Sequence, residues 1–322
     1  MEHEFHYIFS GSLTDPMMEG LLRQKDYVPI DVLVTQLDRA SVKKMIEYHD
    51  KGYIASLFLD SGAWTHHSQG KELDVEEYIQ YANNIDDYLI AIAQMDTIPG
   101  KYQQPKTPED YVQSAKLSWE NYLYMRTRLK SPQKLVPVFH YGESFNQLQM
   151  MLDWTDDNGN HIEYLGISPA NDVSQKDKNI YLKEVYDMIV RSDNPTVKTH
   201  LFGMSSLDAL SKFPCYSCDS VSHRLRTGYN KVFTRKWGTI SLSDKSRTSK
   251  TKSNMCFDKI CDEKTLSELK ELFAGYGYTL DEMKESNVNR VVVDIMETYK
   301  AAYNEYKYNK DNMRRNKRLF SV

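Results

Sequence analysis

Leu89–Met95, LIAIAQM, apart from Gln94, and Val136–Phe139, VPVF, are apolar at consecutive positions rather than at alternate ones. A strand with one wet face alternates, whereas a run apolar on both faces fits a parallel sheet covered by helices. Outward from these two runs, strand and helix patterns follow each other with some regularity. Eight strands are expected, at His6–Ser12, Val32–Gln36, Ser56–Ser61, Asp87–Asp96, Leu135–Tyr141, His161–Ser168, Lys198–Met204 and Cys215–Ser220. Helical patterns lie between them, at Pro16–Arg23, Ala40–Lys51, Asp74–Asn84, Pro108–Leu129, Phe145–Trp154, Asp177–Arg191 and Ser206–Phe213. Pro108 with Glu109 and Asp110 reads as a helix first turn, and Ser205 as an N-cap. Eight such units predict an α/β fold, a closed (β/α)8 (TIM) barrel. No Gly-rich phosphate fingerprint follows the first strand, which disfavours an open dinucleotide-binding sheet.

After Ser220 the pattern changes. Residues 226–254 read as a basic excursion with one strand pair, KVFT and GTISL, around the turn-like RKWG, and residues 255–322 as a helical extension; the barrel takes residues 1–225. With 322 residues, 40% hydrophobic and 27% charged, the chain has enough apolar material for a core. No apolar run approaches the roughly 20 residues of a membrane span, so no membrane partner is expected. The N-terminus, MEHEFHYIFSGS, has no basic stretch before an apolar one, and four cysteines do not make a disulfide framework. Both features place the chain in the cytoplasm.

The net charge of -4 hides an asymmetry. From Arg224 to Lys252 nine Lys and Arg residues face one acid, Asp244, and a second basic group, Lys310, Arg314, Arg315, Lys317 and Arg318, closes the chain. The densest part holds Arg224, Arg226, Lys231, Arg235 and Lys236, interleaved with Tyr229, Phe233 and Trp237. Such runs are most often solvated loops. This one follows a carboxylate, Asp219, at the end of the last strand, which suggests chemistry on a polyanion.

In a barrel of this kind catalytic residues project from the C-terminal ends of the strands. There stand Asp60-Ser61-Gly62, Asp96, His140-Tyr141-Gly142, Gly166, Gly203 and Asp219. A single Asp at a strand end is more often the N-cap of the next helix, and a single His a structural one. Their convergence on one rim is the informative feature.

DSGAW at 60–64, MDTIPG at 95–100, VPVFHYG at 136–142, EYLGIS at 163–168, HLFGMSS at 200–206, and SCDSV followed by HRLRTG and VFTRKWGTISL resemble the successive motifs of the tRNA-guanine transglycosylase superfamily. The likeness runs across residues 56 to 242 and is carried by six motifs in series. It implies that Asp219 is a nucleophile, Asp60 a general acid and base, and Asp96 the acceptor that recognises the purine edge. Ser61, His140, Gly166, Phe202 and Gly203 would form the rest of the base pocket, and Arg224, Arg226, Lys231, Arg235 and Lys236 the nucleic-acid surface.

The chain also departs from that pattern. His140 stands where the family has glutamine, Tyr141 where it has glycine, and Ile167-Ser168 where Gly-Leu is expected. The family's structural zinc motif is missing. Cys215, Cys218, Cys256 and Cys261 could make a four-cysteine set, but neither zinc nor another cofactor is expected. The loss of that segment resembles the branch of bacteria and their phages that inserts 7-cyano-7-deazaguanine or a relative into DNA. The implied partners are DNA, a free 7-deazaguanine and, for a duplex substrate, a strand-opening protein such as a helicase. A tRNA enzyme is the first alternative. A non-catalytic barrel that only holds nucleic acid is the second, disfavoured by the pair of rim carboxylates.

Overall fold

The computed structural model describes residues 5–70, 74–169, 173–243 and 255–315. In chain order the elements begin with β1 (His6–Ser10), α1 (Asp15–Leu22), β2 (Asp31–Thr35), α2 (Arg39–Asp50), β3 (Ser56–Asp60), α3 (Ala63–Gln69), α4 (Val75–Asn84) and β4 (Leu89–Ala93). Next come α5 (Pro108–Arg126), β5 (Leu135–Val136), β6 (Val138–His140), α6 (Phe145–Asp153), β7 (Tyr164–Ser168), α7 (Gln175–Arg191), β8 (Lys198–Leu201), α8 (Leu207–Lys212) and β9 (Ser217–Ser220). The remainder is α9 (Ser222–Gly228), β10 (Lys231–Thr234), β11 (Gly238–Ser241), α10 (Glu263–Gly275), α11 (Leu280–Glu285) and α12 (Asn287–Arg315).

Two compact units emerge. Among the described residues, one holds the chain up to Ser12, Ile30–Asp219 and the chain from Asn309, the other Leu13–Pro29 and Ser220–Tyr308. The division therefore falls at Asp219 rather than at residue 225, and α1 groups with the C-terminal helices.

The first unit is an α/β barrel. Its parallel sheet has the strand order β5-β4-β3-β2-β1-β9-β8-β7-β6. The expected fifth strand is split into β5 and β6 by Pro137, which has no N–H for a ladder. Val136 O accepts from Gln94 N at 3.0 Å on one side of the break, and Pro137 O accepts from Gly166 N at 2.7 Å on the other. One broken strand thus serves both ends of the sheet and brings it to near closure. Ile8, Phe58, Ala91, Ala93, Val136 and Tyr164 fill the core. The consecutive apolar run of β4 reflects this, since only Ile90 of its five residues is not buried.

The helices start where local chemistry satisfies their free N–H groups. Thr107 and Asp110 form a reciprocal capping box ahead of α5, with Pro108 in its first turn. Ser206, not Ser205, caps α8, by accepting from Ala209 N. Helices α3 and α9 were not anticipated; neither has a side-chain cap, and each is seven residues long.

In the second unit β10 and β11 form the expected antiparallel hairpin, with Lys231 opposite Ser241 and Thr234 opposite Gly238. Helix α12 buries three charged residues, Arg290, Asp294 and Glu297. Each is answered. Asp294 accepts from Arg226 Nε at 2.9 Å and from Phe233 N at 2.8 Å. Glu297 accepts from Arg235 N at 2.8 Å and from Tyr276 OH at 2.6 Å. Arg290 donates to Met283 O and Lys284 O, both at 2.9 Å. A buried ion pair adds little net stability, but removing one partner strands the other, a loss of about 3–5 kcal/mol. Asp294→Ala is therefore expected to lower the stability of this unit by that amount, read as a shift of the urea midpoint. A shift below about 1 kcal/mol would show that the pair is dispensable.

Candidate active site

The C-terminal edge of the barrel strands surrounds a cavity of about 510 Å3. Asp60 enters it from the last position of β3, Asp96 from the segment after β4, His140 from the end of β6, and Phe202 and Gly203 from the turn after β8. Asp219, in β9, does not line this cavity but is bonded to its wall. Its Oδ1 accepts from the N–H of Gly203, a wall residue, at 2.7 Å, and its Oδ2 accepts from Ser10 Oγ at 2.6 Å. Gly203 reaches this position with φ +61°, in the left-handed region where a Cβ is unfavourable.

The two carboxyl groups on which the chemistry would depend are displaced in opposite directions. Burial pushes Asp60 up, the negative charges of Asp96 and Asp219 push it further, and the N–H groups of Gly62 and Ser61 recover only part; the result is about 7. Burial acts on Asp219 in the same sense, but His200, Ser10 and the Gly203 N–H outweigh it and hold its carboxyl below the usual range. Near pH 7 one group can carry a proton while its neighbour is ionised, the division of labour that acid–nucleophile pairs need.

His140 is sandwiched between two carboxylates at the cavity wall. Its Nε2 lies 2.8 Å from Asp96 Oδ2 and its Nδ1 3.0 Å from Glu143 Oε1. Glu143 is buried and its Oε2 also accepts from His140 N, at 3.2 Å. Burial alone would lower the imidazole, but hydrogen bonds to the two carboxylates reverse that and raise it to about 10. An imidazolium donating from both nitrogens thus fixes Asp96. His140 lines the cavity, and both of its ring nitrogens face carboxylates. Glu143 escaped the sequence reading, although its place three residues after His140 was a usable signal.

Two other expected pocket residues act behind the wall. Ser61 is buried and its Oγ accepts from Ala63 N at 3.3 Å. A Cβ on Gly166 would come within 2.5 Å of Phe202 Cε2, so this glycine seats the Phe202 ring, which does line the cavity. Beneath Asp219 a buried polar chain was also missed. His200 Nε2 lies 3.3 Å from Asp219 Oδ1, and its Nδ1 lies 2.6 Å from Ser217 Oγ, which in turn bonds Tyr164 OH. The outer wall adds Trp64, His67, Lys101, Tyr102 and Lys106, none of them anticipated.

The basic segment belongs to the second unit and is largely committed there. Arg226 pairs with Asp294, Arg235 with Glu297, and Lys236 with Glu268 at 2.7 Å. The acids absent from residues 224–236 are supplied by α10 and α12, which corrects the picture of a free cationic loop. Arg224 is exposed and Lys231 half-buried. Asp244, Lys245, Arg247, Lys250, Lys252, Lys317 and Arg318 lie outside the described residues, and the side chains of Lys310, Arg314 and Arg315 are not described either. All four cysteines are free thiols. Cys256 Sγ donates to Asp258 Oδ1 at 2.8 Å, and among the described residues no cluster of three or more His, Cys, Asp or Glu is arranged around a metal position. The chain matches no protein-family model and no curated protein.

Proposed function

We propose that this chain is a base-exchange transglycosylase that replaces guanine in DNA with a 7-deazaguanine such as 7-cyano-7-deazaguanine. The observation that carries the reading is the placement of three carboxyl groups at one end of the barrel, Asp60 and Asp96 lining one cavity and Asp219 bonded to its wall residue Gly203; the opposed displacement of Asp60 and Asp219 agrees with it. In the first half-reaction the Asp219 carboxylate attacks C1′ of the target nucleotide. The C1′–N9 bond breaks, guanine leaves with the proton of Asp60, and the sugar is held as a glycosyl ester. In the second, Asp60 takes the N9 proton of the incoming 7-deazaguanine, whose nitrogen attacks C1′ and releases the Asp219 carboxylate. Two inversions give net retention.

Asp96 supplies the acceptor for the N1–H and exocyclic amine shared by guanine and 7-deazaguanines. Its orientation by His140, itself held by Glu143, supports that role. Phe202 offers an apolar surface in the same cavity for the face of a base. A target in a duplex must first be extruded before its C1′ can reach a buried carboxylate.

The test offers a radiolabelled 7-deazaguanine to the purified protein with either single-stranded DNA or tRNA. Label in DNA is expected. Label in tRNA alone would move the assignment to the tRNA enzymes, and label in neither would leave a barrel that binds without exchanging.

A further inference from the structure

The connection from β4 to α5, residues 94–107, is long for a barrel loop, and it builds much of the cavity mouth. It is ordered by turns rather than by regular structure. Gln104 N donates to Lys101 O at 3.1 Å, Gln103 adopts φ +58°, and the Thr107–Asp110 capping box pins the end. Along it Lys101, Tyr102 and Lys106 face the mouth. Tyr102 meets Trp64 and His67 at centroid distances of 6.2 Å. Yet Tyr102 stays 43% exposed and Trp64 57%. Large aromatics left this open beside two exposed lysines form the combination that binds single strands, cations for phosphates and ring faces for bases.

The charge distribution gives the mouth a direction. The negative charges of Asp96 and Asp219, which push Asp60 up, also repel phosphate. The lysines are exposed at the mouth, so the flanking phosphates stay there while the target nucleoside, base and sugar together, enters. His67 also lines the mouth, and burial and the charge of Lys106 lower its pKa.

We infer that Lys101, Lys106 and Tyr102 form the docking site for the nucleotides flanking the target in a single DNA strand, Lys101 and Lys106 holding phosphates and Tyr102 stacking on a neighbouring base. The choice of DNA rests on the transglycosylase reading; the polyanion chemistry does not.

The test measures binding of a fluorescein-labelled single-stranded DNA to the full chain by anisotropy across a salt series, which needs no base exchange. The Lys101→Gln/Lys106→Gln variant is expected to reduce the slope of log Kd against log salt by about 0.7 per lysine. Tyr102→Ala is expected to weaken binding about tenfold or more with the slope retained. An unchanged slope in the lysine variant, or its loss in Arg224→Gln instead, overturns the inference. So does a wild-type protein that binds no DNA, or one that binds an RNA of the same sequence in its place. If both variants behave as expected while no polymer incorporates labelled base, the docking site stands and the transglycosylase reading falls.

Discussion

Under the proposed mechanism, Asp219→Asn is expected to abolish the covalent protein–DNA adduct and to lower base exchange by at least about ten-thousandfold, the scale on which removal of a covalent nucleophile is felt. The substitution is chosen because it disturbs little else. An asparagine oxygen can still accept the Gly203 N–H, and its amide can donate to Ser10 Oγ, the two bonds that now hold the carboxylate at 2.7 and 2.6 Å. The lost property is the negative charge, and with it the ability to form an ester at C1′. The measurement is a denaturing gel of protein mixed with DNA, with mass spectrometry of any shifted band. Base exchange at the wild-type rate in this variant removes Asp219 from the mechanism. An adduct that persists and maps to another residue does the same, and Asp60 would be the first place to look for it.

The barrel was legible because its signals are local. Runs such as LIAIA report burial on both faces without knowledge of any neighbour, and even the short β1 and β2 were found, each five residues long. The break at Pro137 could have been read from its missing N–H. Helix α3 could not, because it begins at an uncapped glycine and is too short to show a period. At the site, the aspartates were visible since barrel topology delivers strand ends to one rim. The groups that tune them were not. His200 reaches Asp219 only because β8 and β9 are neighbours, paired at His200 with Ser217. The partners of Arg226 and Arg235 were hidden for the same reason: Asp294 and Glu297 are more than sixty residues further along the chain. Composition over a window cannot register a partner at that distance.

Asp60→Asn is expected to slow guanine release in a single turnover by about a hundredfold to ten-thousandfold, the usual share of general acid catalysis. The pH dependence is the sharper readout. In the wild type the acid must be protonated, so the rate of release is expected to hold up to about pH 7 and to fall tenfold per unit above it. The acidic limb belongs to Asp219 and lies below the ordinary carboxylate range. The variant keeps that acidic limb and loses the fall above pH 7. Stability moves the other way. A carboxyl raised from its ordinary value to about 7 binds its proton more tightly in the folded than in the unfolded chain. Its stabilising contribution is whole below the ordinary value and is lost as pH rises to about 7, after which it is flat. Asparagine carries no such penalty, so thermal melts above pH 7 should place the variant higher than the wild type, with the difference closing toward pH 4. A variant that is inactive and also less stable across the whole range would mean that Asp60 serves the fold, through its bond with Gly62 N at 3.2 Å, rather than the transfer of a proton.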